Sequence, residues 1–436
     1  MEIISRKTKC GEILGRKTDK GIIFNSIPYA SAGRFEMPKP INSWDGGLDA
    51  TGTAIEAMQM SAFRDDSHKF YTKEFRTGLD VEYAESPLTL SIITPLEPDN
   101  CPILVHIHGG SFFVGRSVEK PAGSSFEYAR RGIILVNISY RLNVFGLYRS
   151  ANYFLYDQIA AVKWIRDNIG DYGGNGDDIT LIGESAGAMS IFYNLCNEEL
   201  KGIIKGAVLM SGAGFFPRIA DGYTVEGGKK FWDAVMHAAE CENDEQLKKV
   251  PAEKLWNAWN ETSKKFGGLK TMQPGIDGRL IPCSPHKIRK NGKLLDIPMI
   301  VGVTSQDMLF SALMYGITLN FCGWSAKRGR SKVYAYYFNH PVPGGDYKAF
   351  HSGDLWYVFG NMEKSGRPFN EDDIRLKDEM ADAVEKFIKT GDAGWEPVSR
   401  KNHKFRRFDL SGKKYIGPVK CFALSLHYSI FDRGPF

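Results

Sequence analysis

The segment Ile179-Thr180-Leu181-Ile182-Gly183-Glu184-Ser185-Ala186-Gly187 joins an apolar run to a serine that stands between two glycines. The apolar run predicts a buried strand, and the small residues after Gly187 favour the start of a helix. In a G-x-S-x-G pattern the serine occupies a strained strand-to-helix turn, where the glycines avoid side-chain clashes. Such a turn holds the Ser185 hydroxyl above the carboxyl edge of a sheet, next to a helix N-terminus. We therefore predict that Ser185 is a nucleophile and not an ordinary turn serine.

A second segment, Ile103-Leu104-Val105-His106-Ile107-His108-Gly109-Gly110-Ser111-Phe112, carries a predicted strand into a pair of glycines. Acyl transfer develops an oxyanion, which backbone N–H groups stabilise when no side chain blocks their approach. A glycine turn of this kind can supply such groups, together with the N–H of the residue after the nucleophile, here Ala186. Alone, the glycine pair would fit a simple strand-ending turn equally well. Beside the serine turn, it favours an oxyanion hole.

Short apolar runs alternate with helix-like segments along most of the chain, which predicts strand–helix–strand units and a parallel sheet covered on both faces. The predicted strands are Leu88–Thr94, Ile103–His108, Ile133–Ser139, Ile179–Gly183, Gly206–Ser211 and Ile297–Val303. Two predicted amphipathic helices cover Ala151–Ile169, with Ile159, Val162, Ile165 and Ile169 on one face, and Asn370–Lys389, with Ile374, Met380, Ala383, Val384 and Phe387. We predict an α/β fold in one domain over residues 1–436, with residues 222–270 as a helical insertion or cap.

Composition excludes several classes of protein. The 436 residues include 43% hydrophobic residues and carry a net charge of +5, as in an ordinary globular protein. No apolar run approaches the roughly 20 residues that cross a bilayer. The basic run Arg400–Arg407 is interpreted as solvated surface, because no nucleic-acid-binding module accompanies it. Seven scattered cysteines without a CxxC pair, and an N-terminus without a secretory signal, predict a cytoplasmic protein.

Several motifs together resemble the type-B carboxylesterase family of α/β-hydrolases, which includes the cholinesterases. The resemblance covers most of the chain, and Gly183-Glu184-Ser185-Ala186-Gly187 is the family's own form of the serine turn. The other matching segments are Gly21–Ala30 with Arg34-Phe35, Ser139–Leu142, and Asp157–Ile165 with Gly173-Gly174-Asn175. The resemblance implies an α/β-hydrolase fold with a central, mostly parallel sheet.

The resemblance also implies a histidine and an acid. Hydrolases of this fold order their residues as serine, acid, histidine. Among nine histidines, His351 lies in Phe350–Gly360, which closely resembles the family's histidine segment, whereas His108 is expected to brace the glycine turn. Asp307 follows a predicted strand where the family usually has glutamate. We predict Asp307 as the acid that orients His351, with Asp277 as the competing carboxylate.

The chain also departs from the family pattern. Both half-cystines of a family disulfide are absent, since Glu85-Ser86-Pro87-Leu88 and Ala57-Met58-Gln59 stand in their places. The family often has a third glycine where this chain has Ser111. Because Ser111 still offers its N–H, we expect Gly110 and Ser111 to be the donors and Gly109 to shape the turn. Asp307 and His351 are only 44 positions apart (351 − 307). In the family that this chain resembles, the interval normally contributes helices that wall the active-site gorge, so the resemblance implies a shallower, more open pocket here.

These observations predict a carboxylic ester hydrolase with a Ser185–His351–Asp307 triad and an acyl-enzyme intermediate, acting on small hydrophobic or aromatic esters without a cofactor or metal. The same machinery would serve an amidase or a thioesterase, and the family also contains non-catalytic interaction proteins. An enzyme that acts at a membrane surface is a weaker alternative, because no anchor helix is evident. Aromatic and apolar residues near the motifs are candidates for the substrate pocket: Phe112, Phe113, Phe215, Phe216, Met308 and Trp356. The expected partner is a small-molecule ester, not nucleic acid and not a stably inserted membrane.

Overall fold

Strands and helices alternate through most of the chain, in a computed structural model that describes residues 2–214, 222–307, 311–421 and 423–424. In chain order the strands β1 to β19 are Glu2–Thr8, Gly11–Lys17, Ile22–Pro28, Ala30–Ser31, Lys39–Pro40, Gly47–Asp49, Ala54–Ala57, Val81–Ala84, Thr89–Thr94, Cys101–Ile107, Ile134–Ile138, Leu147–Tyr148, Ala151–Asn152, Gly174–Glu184, Ile204–Met210, Met299–Thr304, Val333–Phe338, Phe405–Phe408 and Tyr415–Ile416. The helices α1 to α12 are Met60–Phe63, Phe70–Phe75, Asn143–Gly146, Tyr153–Asn168, Ala186–Asn194, Lys229–Ala238, Asp244–Lys249, Ala252–Lys265, Pro285–Asn291, Ser311–Lys327, Leu355–Phe359 and Glu371–Thr390.

One large sheet organises the molecule. Within the described residues thirteen strands belong to it, in the order β1-β2-β3-β9-β11-β10-β14-β15-β16-β17-β18-β19, with β6 beside β2. The strands from β11 to β18 in this order run parallel, whereas β1, β2, β3, β9 and β19 pair antiparallel at the two ends. This confirms the predicted sheet, which is mostly parallel and is flanked by helices.

The apolar runs are continuous because both faces of the sheet are covered. Along β10, Ile103, Val105 and Ile107 point into the cluster that includes residues of α4, α5 and α10. Leu104, between them, belongs to the opposite cluster with residues of α11 and α12. Successive side chains of a strand alternate between faces, so each face requires apolar residues of its own.

All six predicted strands are present, although their ends differ. The largest difference is in β14, which begins at Gly174, five positions before the predicted start at Ile179. Gly174 pairs with Cys101 at the start of β10, and the register shifts before Ile103. This irregular extension is polar and glycine-rich, so the apolar pattern does not reveal it.

The two predicted helices also form, with one correction on α12. Ile374 was expected on its apolar face but is 48% exposed, and Leu376 is buried instead, together with Met380 and Val384. The helix begins with a capping box, in which the Asn370 side chain accepts N–H groups of the first turn. Positions 376, 380 and 384 repeat every four residues and form a continuous stripe, from which position 374 is displaced.

Residues 222–270 hold the helices α6, α7 and α8, whose apolar side chains share one buried cluster with Phe35 and with residues between 144 and 153. Trp232, Trp256 and Trp259 are buried in this cluster together with Phe145 of α3 and Tyr148 of β12. Helices therefore make up much of this segment. In the described residues no helix is both long and apolar enough to cross a membrane. The seven cysteines all fall within the described residues and are free thiols.

Candidate active site

The serine turn lies between β14, which ends at Glu184, and α5, which begins at Ala186. Ser185 has φ 54° and ψ −121°, a strained conformation for a residue that carries a β-carbon. A β-carbon at Gly187 would overlap the carbonyl oxygen of Ile107, and one at Gly183 would lie 2.7 Å from the carbonyl carbon of Gly187. The two glycines are therefore required by the close approach of the helix to the sheet, as the motif predicts.

His351 and Asp307 meet at the carboxyl edge of the sheet. Asp307 follows β16 and His351 follows β17, its parallel neighbour. Nδ1 of His351 lies 2.5 Å from Oδ1 of Asp307, and Gln306 N–H donates to the carbonyl of Ala349, which ties the two loops together. Asp307 is fully buried and His351 is 4% exposed. A buried carboxylate in this position fixes the orientation of the ring and its tautomer.

The second carboxylate oxygen of Asp307 is also satisfied. It accepts a hydrogen bond from the Ser211 hydroxyl at 2.6 Å and from the backbone N–H of Thr304 at 3.1 Å. Ser211 directly follows the neighbouring parallel strand β15, so the ends of two adjacent strands hold the acid. Ser211 was not among the predicted site residues, although a small polar residue directly after a buried strand is a recognisable signal.

Glu184 brings the serine turn into contact with the histidine. Its Oε1 lies 3.1 Å from Nε2 of His351 and accepts a hydrogen bond from the Ser352 hydroxyl at 2.7 Å. Burial raises the pKa of Glu184 to about 7. Burial by itself lowers the pKa of His351, but the nearby carboxylates of Glu184 and Asp307 outweigh it and raise that pKa to about 9. The motif contained Glu184, yet its contact with a residue 167 positions away is invisible in the sequence.

The glycine turn abuts the serine turn. A β-carbon at Gly109 would lie 3.2 Å from Cβ of Ser185, and one at Gly110 would overlap the carbonyl oxygen of Val114. Gly110, Ser111 and Phe112 all have positive φ, at 109°, 58° and 61°. No hydrogen bond within the described part of the chain takes the amide protons of Gly110, Ser111 or Ala186.

His108 braces the glycine turn, as its position in the sequence suggests. Its Nδ1 lies 2.8 Å from the carbonyl oxygen of Gly109, and its ring stacks on Tyr140 at a centroid distance of 4.4 Å. Burial lowers the pKa of His108 to about 4, so the ring is neutral at ordinary pH.

The competing candidates lie in other environments. Asp277 accepts the backbone N–H groups of Arg279 and Ile281 within its own turn, and Asn152 donates to its other oxygen. A second buried imidazole–carboxylate contact joins His340 to Asp373 at 2.7 Å, but Asp373 also completes the capping box of α12. Both carboxylates therefore have structural partners of their own.

The described pocket candidates have different surroundings. Phe112 is 2% exposed and packs on Phe154 in the main core, whereas Phe113 is half-buried and stacks on Trp259 of α8 at 5.6 Å. Trp356 is fully buried, and its indole N–H donates to Glu74. Its contacts are those of a core residue, so the prediction that it lines a pocket gains no support from them. The other three candidates, Phe215, Phe216 and Met308, lie outside the described residues.

Tyr71 is a further neighbour of the site that the sequence did not single out. Its hydroxyl donates to the backbone carbonyl of His351 at 3.2 Å. Tyr71 belongs to α2, in the segment where the family disulfide is missing. The next residues of α2 are tied to the same region, because Glu74 receives both the Trp356 N–H and the guanidinium of Arg367.

Known carboxylesterases are similar to this chain in sequence and in structure. The family model described as "Carboxylesterase family" matches residues 4–322 and 318–418. Para-nitrobenzyl esterase of Bacillus subtilis is 29% identical, over 90% of this chain and 91% of that protein. Human cocaine esterase is also 29% identical, but the match covers 69% of this chain and only 56% of that protein.

Solved structures of esterases share the fold of this chain. A thermophilic PNB esterase superposes with a TM-score of 0.81 at 25% identity, covering 93% of this chain and 96% of the other. An esterase from Clostridium hathewayi, at 23% identity, shares the fold with a TM-score of 0.82 and covers 94% of this chain and 95% of its own. The chain is therefore an enzyme of the carboxylesterase family and has the α/β-hydrolase fold of that family.

Proposed function

We propose that the enzyme hydrolyses carboxylic esters through an acyl-enzyme formed on Ser185, with His351 as general base and Asp307 as the acid that orients it. The observation that carries this proposal is the 2.5 Å contact between Asp307 and Nδ1 of His351, at the sheet edge where the strained serine turn projects. The Nε2 side of the ring faces the serine turn, because Glu184, the residue before Ser185, lies within 3.1 Å of that atom.

The proposed reaction has two halves. His351 accepts the proton of the Ser185 hydroxyl as the oxygen attacks the ester carbonyl, and then delivers that proton to the leaving alcohol. Water, activated by the same imidazole, then attacks the acyl-enzyme and releases the acid. The protonated ring formed in each half is stabilised by Asp307, whose second oxygen is held by Ser211. The buried setting of these groups strengthens each electrostatic interaction.

The glycine turn supports the proposed oxyanion hole. Because Gly109 has no side chain, the turn can approach Ser185 closely. Gly110 and Ser111 both have positive φ, so their backbone does not continue the extended conformation of the strand. The unused N–H groups of Gly110, Ser111 and Ala186 are the proposed donors. Removing one such donor in a serine hydrolase costs about 10²–10³ in kcat.

We propose small hydrophobic or aromatic esters as substrates. Phe113, which lies just after the glycine turn, is half-buried, stacks on Trp259 of α8 and packs at a tilt against Trp256. Phe113 would present an aromatic surface on the cap side of the site, held in place by the buried Trp256 and Trp259. The relatives named above are esterases of para-nitrobenzyl esters and of cocaine, both of which are aromatic compounds.

The direct test is turnover of a p-nitrophenyl ester by Ser185→Ala. We expect the rate to fall to background, while Ser67→Ala, a change at an exposed serine, keeps the wild-type rate. Wild-type turnover by Ser185→Ala would refute the proposal. Matched ester, amide and thioester substrates then separate the esterase from the amidase and thioesterase alternatives, with faster amide or thioester turnover as the contrary result.

We also propose a cytoplasmic location. The seven free thiols support it, because disulfides are rare in reducing compartments. Fractionation of the source cells in high salt, which releases peripherally bound protein from membranes, tests this, and recovery of the enzyme from the culture medium or another extracytoplasmic compartment would contradict it.

A further inference from the structure

Three basic segments that are distant in sequence meet at one edge of the sheet. They directly precede the neighbouring parallel strands β16, β17 and β18. Parallel strands begin at a common edge, so the segments before them converge there. Each segment contributes three exposed cations: Lys287, Lys290 and Lys293 before β16, Lys327, Arg328 and Lys332 before β17, and Arg400, Lys401 and Lys404 before β18. These nine residues are here called the basic edge.

Contacts between the segments hold the basic edge together. The guanidinium of Arg328 donates to the carbonyl of Lys290 at 3.0 Å and lies over the ring of Trp324 at 5.5 Å. Arg400, from the segment before β18, donates to the carbonyl of Lys327 at 2.7 Å. A groove of about 570 Å³ runs between the segments. Its lining combines cationic residues with apolar ones: Arg289, Lys327 and Arg328 with Leu319, Trp324 and Pro418, and His403 lies beside them.

Three carboxylates, Asp296, Asp392 and Glu396, stand in or beside the same segments, so the nine cations leave a net positive charge. Among the described residues, the one ion pair formed by the nine is that of Lys332 with Asp392, at 3.9 Å. Cations at the C-terminal end of α10 also stabilise the helix dipole, which is sufficient to explain Lys327 and Arg328. It does not explain Arg400, Lys401 and Lys404, which precede a strand. The basic run noted in the sequence is thus one third of a larger charged surface.

We propose that the basic edge docks the enzyme peripherally on a bilayer of anionic phospholipid. Lys and Arg side chains near such a surface each raise partitioning about fivefold. Val419, next to Pro418 of the groove, is 86% exposed and gives the surface an apolar side chain. Single-stranded nucleic acid is less favoured, because the groove's aromatic ring, Trp324, is 7% exposed and cannot serve as a stacking platform for bases.

The basic edge lies far from the candidate active site. Asp307 and His351 follow β16 and β17, whereas the basic edge precedes these strands. The candidate active site and the basic edge therefore lie at opposite edges of the sheet. A docked enzyme would leave its active site open to the aqueous phase, so that the bilayer serves as a tether and not as the source of substrate.

Cosedimentation of the full chain with vesicles tests the proposal. We expect binding to phosphatidylcholine vesicles that contain phosphatidylglycerol, no binding to phosphatidylcholine alone, and loss of binding near 1 M salt, where the Debye length is about 3 Å. The test variant removes four exposed lysines of the basic edge: Lys290→Gln, Lys293→Gln, Lys327→Gln and Lys401→Gln. The control removes the same charge from the segment 222–270: Lys229→Gln, Lys230→Gln, Lys249→Gln and Lys265→Gln.

The test variant is expected to bind anionic vesicles at least about fiftyfold more weakly, and the control to bind within about threefold of wild type. Both should turn over a soluble ester at the wild-type rate, and wild-type enzyme bound to vesicles should do the same. Four results would overturn the proposal: no binding of wild type to anionic vesicles, equal loss in both variants, tighter binding to single-stranded DNA than to vesicles, or loss of turnover on docking.

Discussion

The imidazole of His351 lies between two buried carboxylates, with Asp307 at 2.5 Å from Nδ1 and Glu184 at 3.1 Å from Nε2. The two acids come from different strands and have different partners. Asp307 is held by Ser211 and by a backbone N–H, whereas Glu184 is held by Ser352. In the proposed mechanism Asp307 orients the ring, and Glu184 sets the charge near Nε2.

Asp307→Asn should lower kcat for a p-nitrophenyl ester by about 10³–10⁴-fold, because an amide cannot hold the ring in the tautomer that accepts the Ser185 proton. The thermal midpoint, measured in parallel, reports whether the variant is folded. Asp277→Asn is the matched control and should keep kcat within about threefold, since Asp277 is bound within its own turn. A large loss of kcat in Asp277→Asn, together with near wild-type kcat in Asp307→Asn, would instead identify Asp277 as the acid.

Glu184→Gln should move the acid limb of the kcat/KM pH profile to lower pH. Ionised Glu184 favours the protonated ring and raises the pKa of His351. The base must be neutral, so removal of this charge makes it available at lower pH, by about one to three pH units. The pKa that this limb reports is a property of the Glu184–His351 pair, because the two groups titrate together. An unchanged or upward-shifted limb would show that Glu184 does not control the charge of the ring.

Gly110→Ala should reduce kcat by about 10²–10³-fold, because its β-carbon would overlap the Val114 carbonyl and displace the proposed oxyanion donors. Gly132→Ala separates this effect from backbone strain. Gly132 also has positive φ, at 73°, but a β-carbon there meets no atom within 4 Å. The control should lose about 1 kcal/mol of stability in denaturant unfolding and keep its kcat. Equal kcat values for the two variants would argue against an oxyanion role for the turn.

Glu74→Gln should destabilise the fold by about 3 kcal/mol in urea unfolding, because Arg367 would remain buried without its carboxylate partner. Glu74 and Arg367 form a bidentate pair, in which Nε and Nη2 of Arg367 each lie 2.8 Å from one carboxylate oxygen of Glu74. The side chains are 10% (Glu74) and 9% (Arg367) exposed. Glu261→Gln, which breaks an exposed pair with Lys264, should leave the unfolding midpoint unchanged. A similar midpoint for both variants would mean that the Glu74 pair does not stabilise this region.

Much of the fold could be predicted from local pattern. The buried strands are continuous apolar runs because helices cover both faces of the sheet, and the serine turn needs two glycines because α5 begins against β10. Ile374 shows the limit of periodicity, since only the packing partner decides which of several nearby apolar residues faces the core. The polar start of β14 at Gly174 had no apolar signal at all.

The site was predictable only where a motif carries its chemistry. Ser185, Gly109 and Gly110 stand in patterns that report their own backbone geometry. The contacts of Glu184 and Tyr71 depend on strand order and on loops that are far apart in sequence, so no local pattern could indicate them. Ser211 carries a local signal, because it directly follows a buried strand, but its partner Asp307 is 96 positions away. The basic edge is a similar case, because its three segments meet only through the parallel register of β16, β17 and β18.

The most direct test of the proposed mechanism is to label the folded enzyme with a fluorophosphonate and map the adduct by peptide mass spectrometry. A fluorophosphonate reacts with a serine only when that serine is activated as a nucleophile. We predict a single adduct on Ser185, and no labelling of Ser185→Ala. An unlabelled wild-type enzyme, or an adduct on any other residue, would contradict the account.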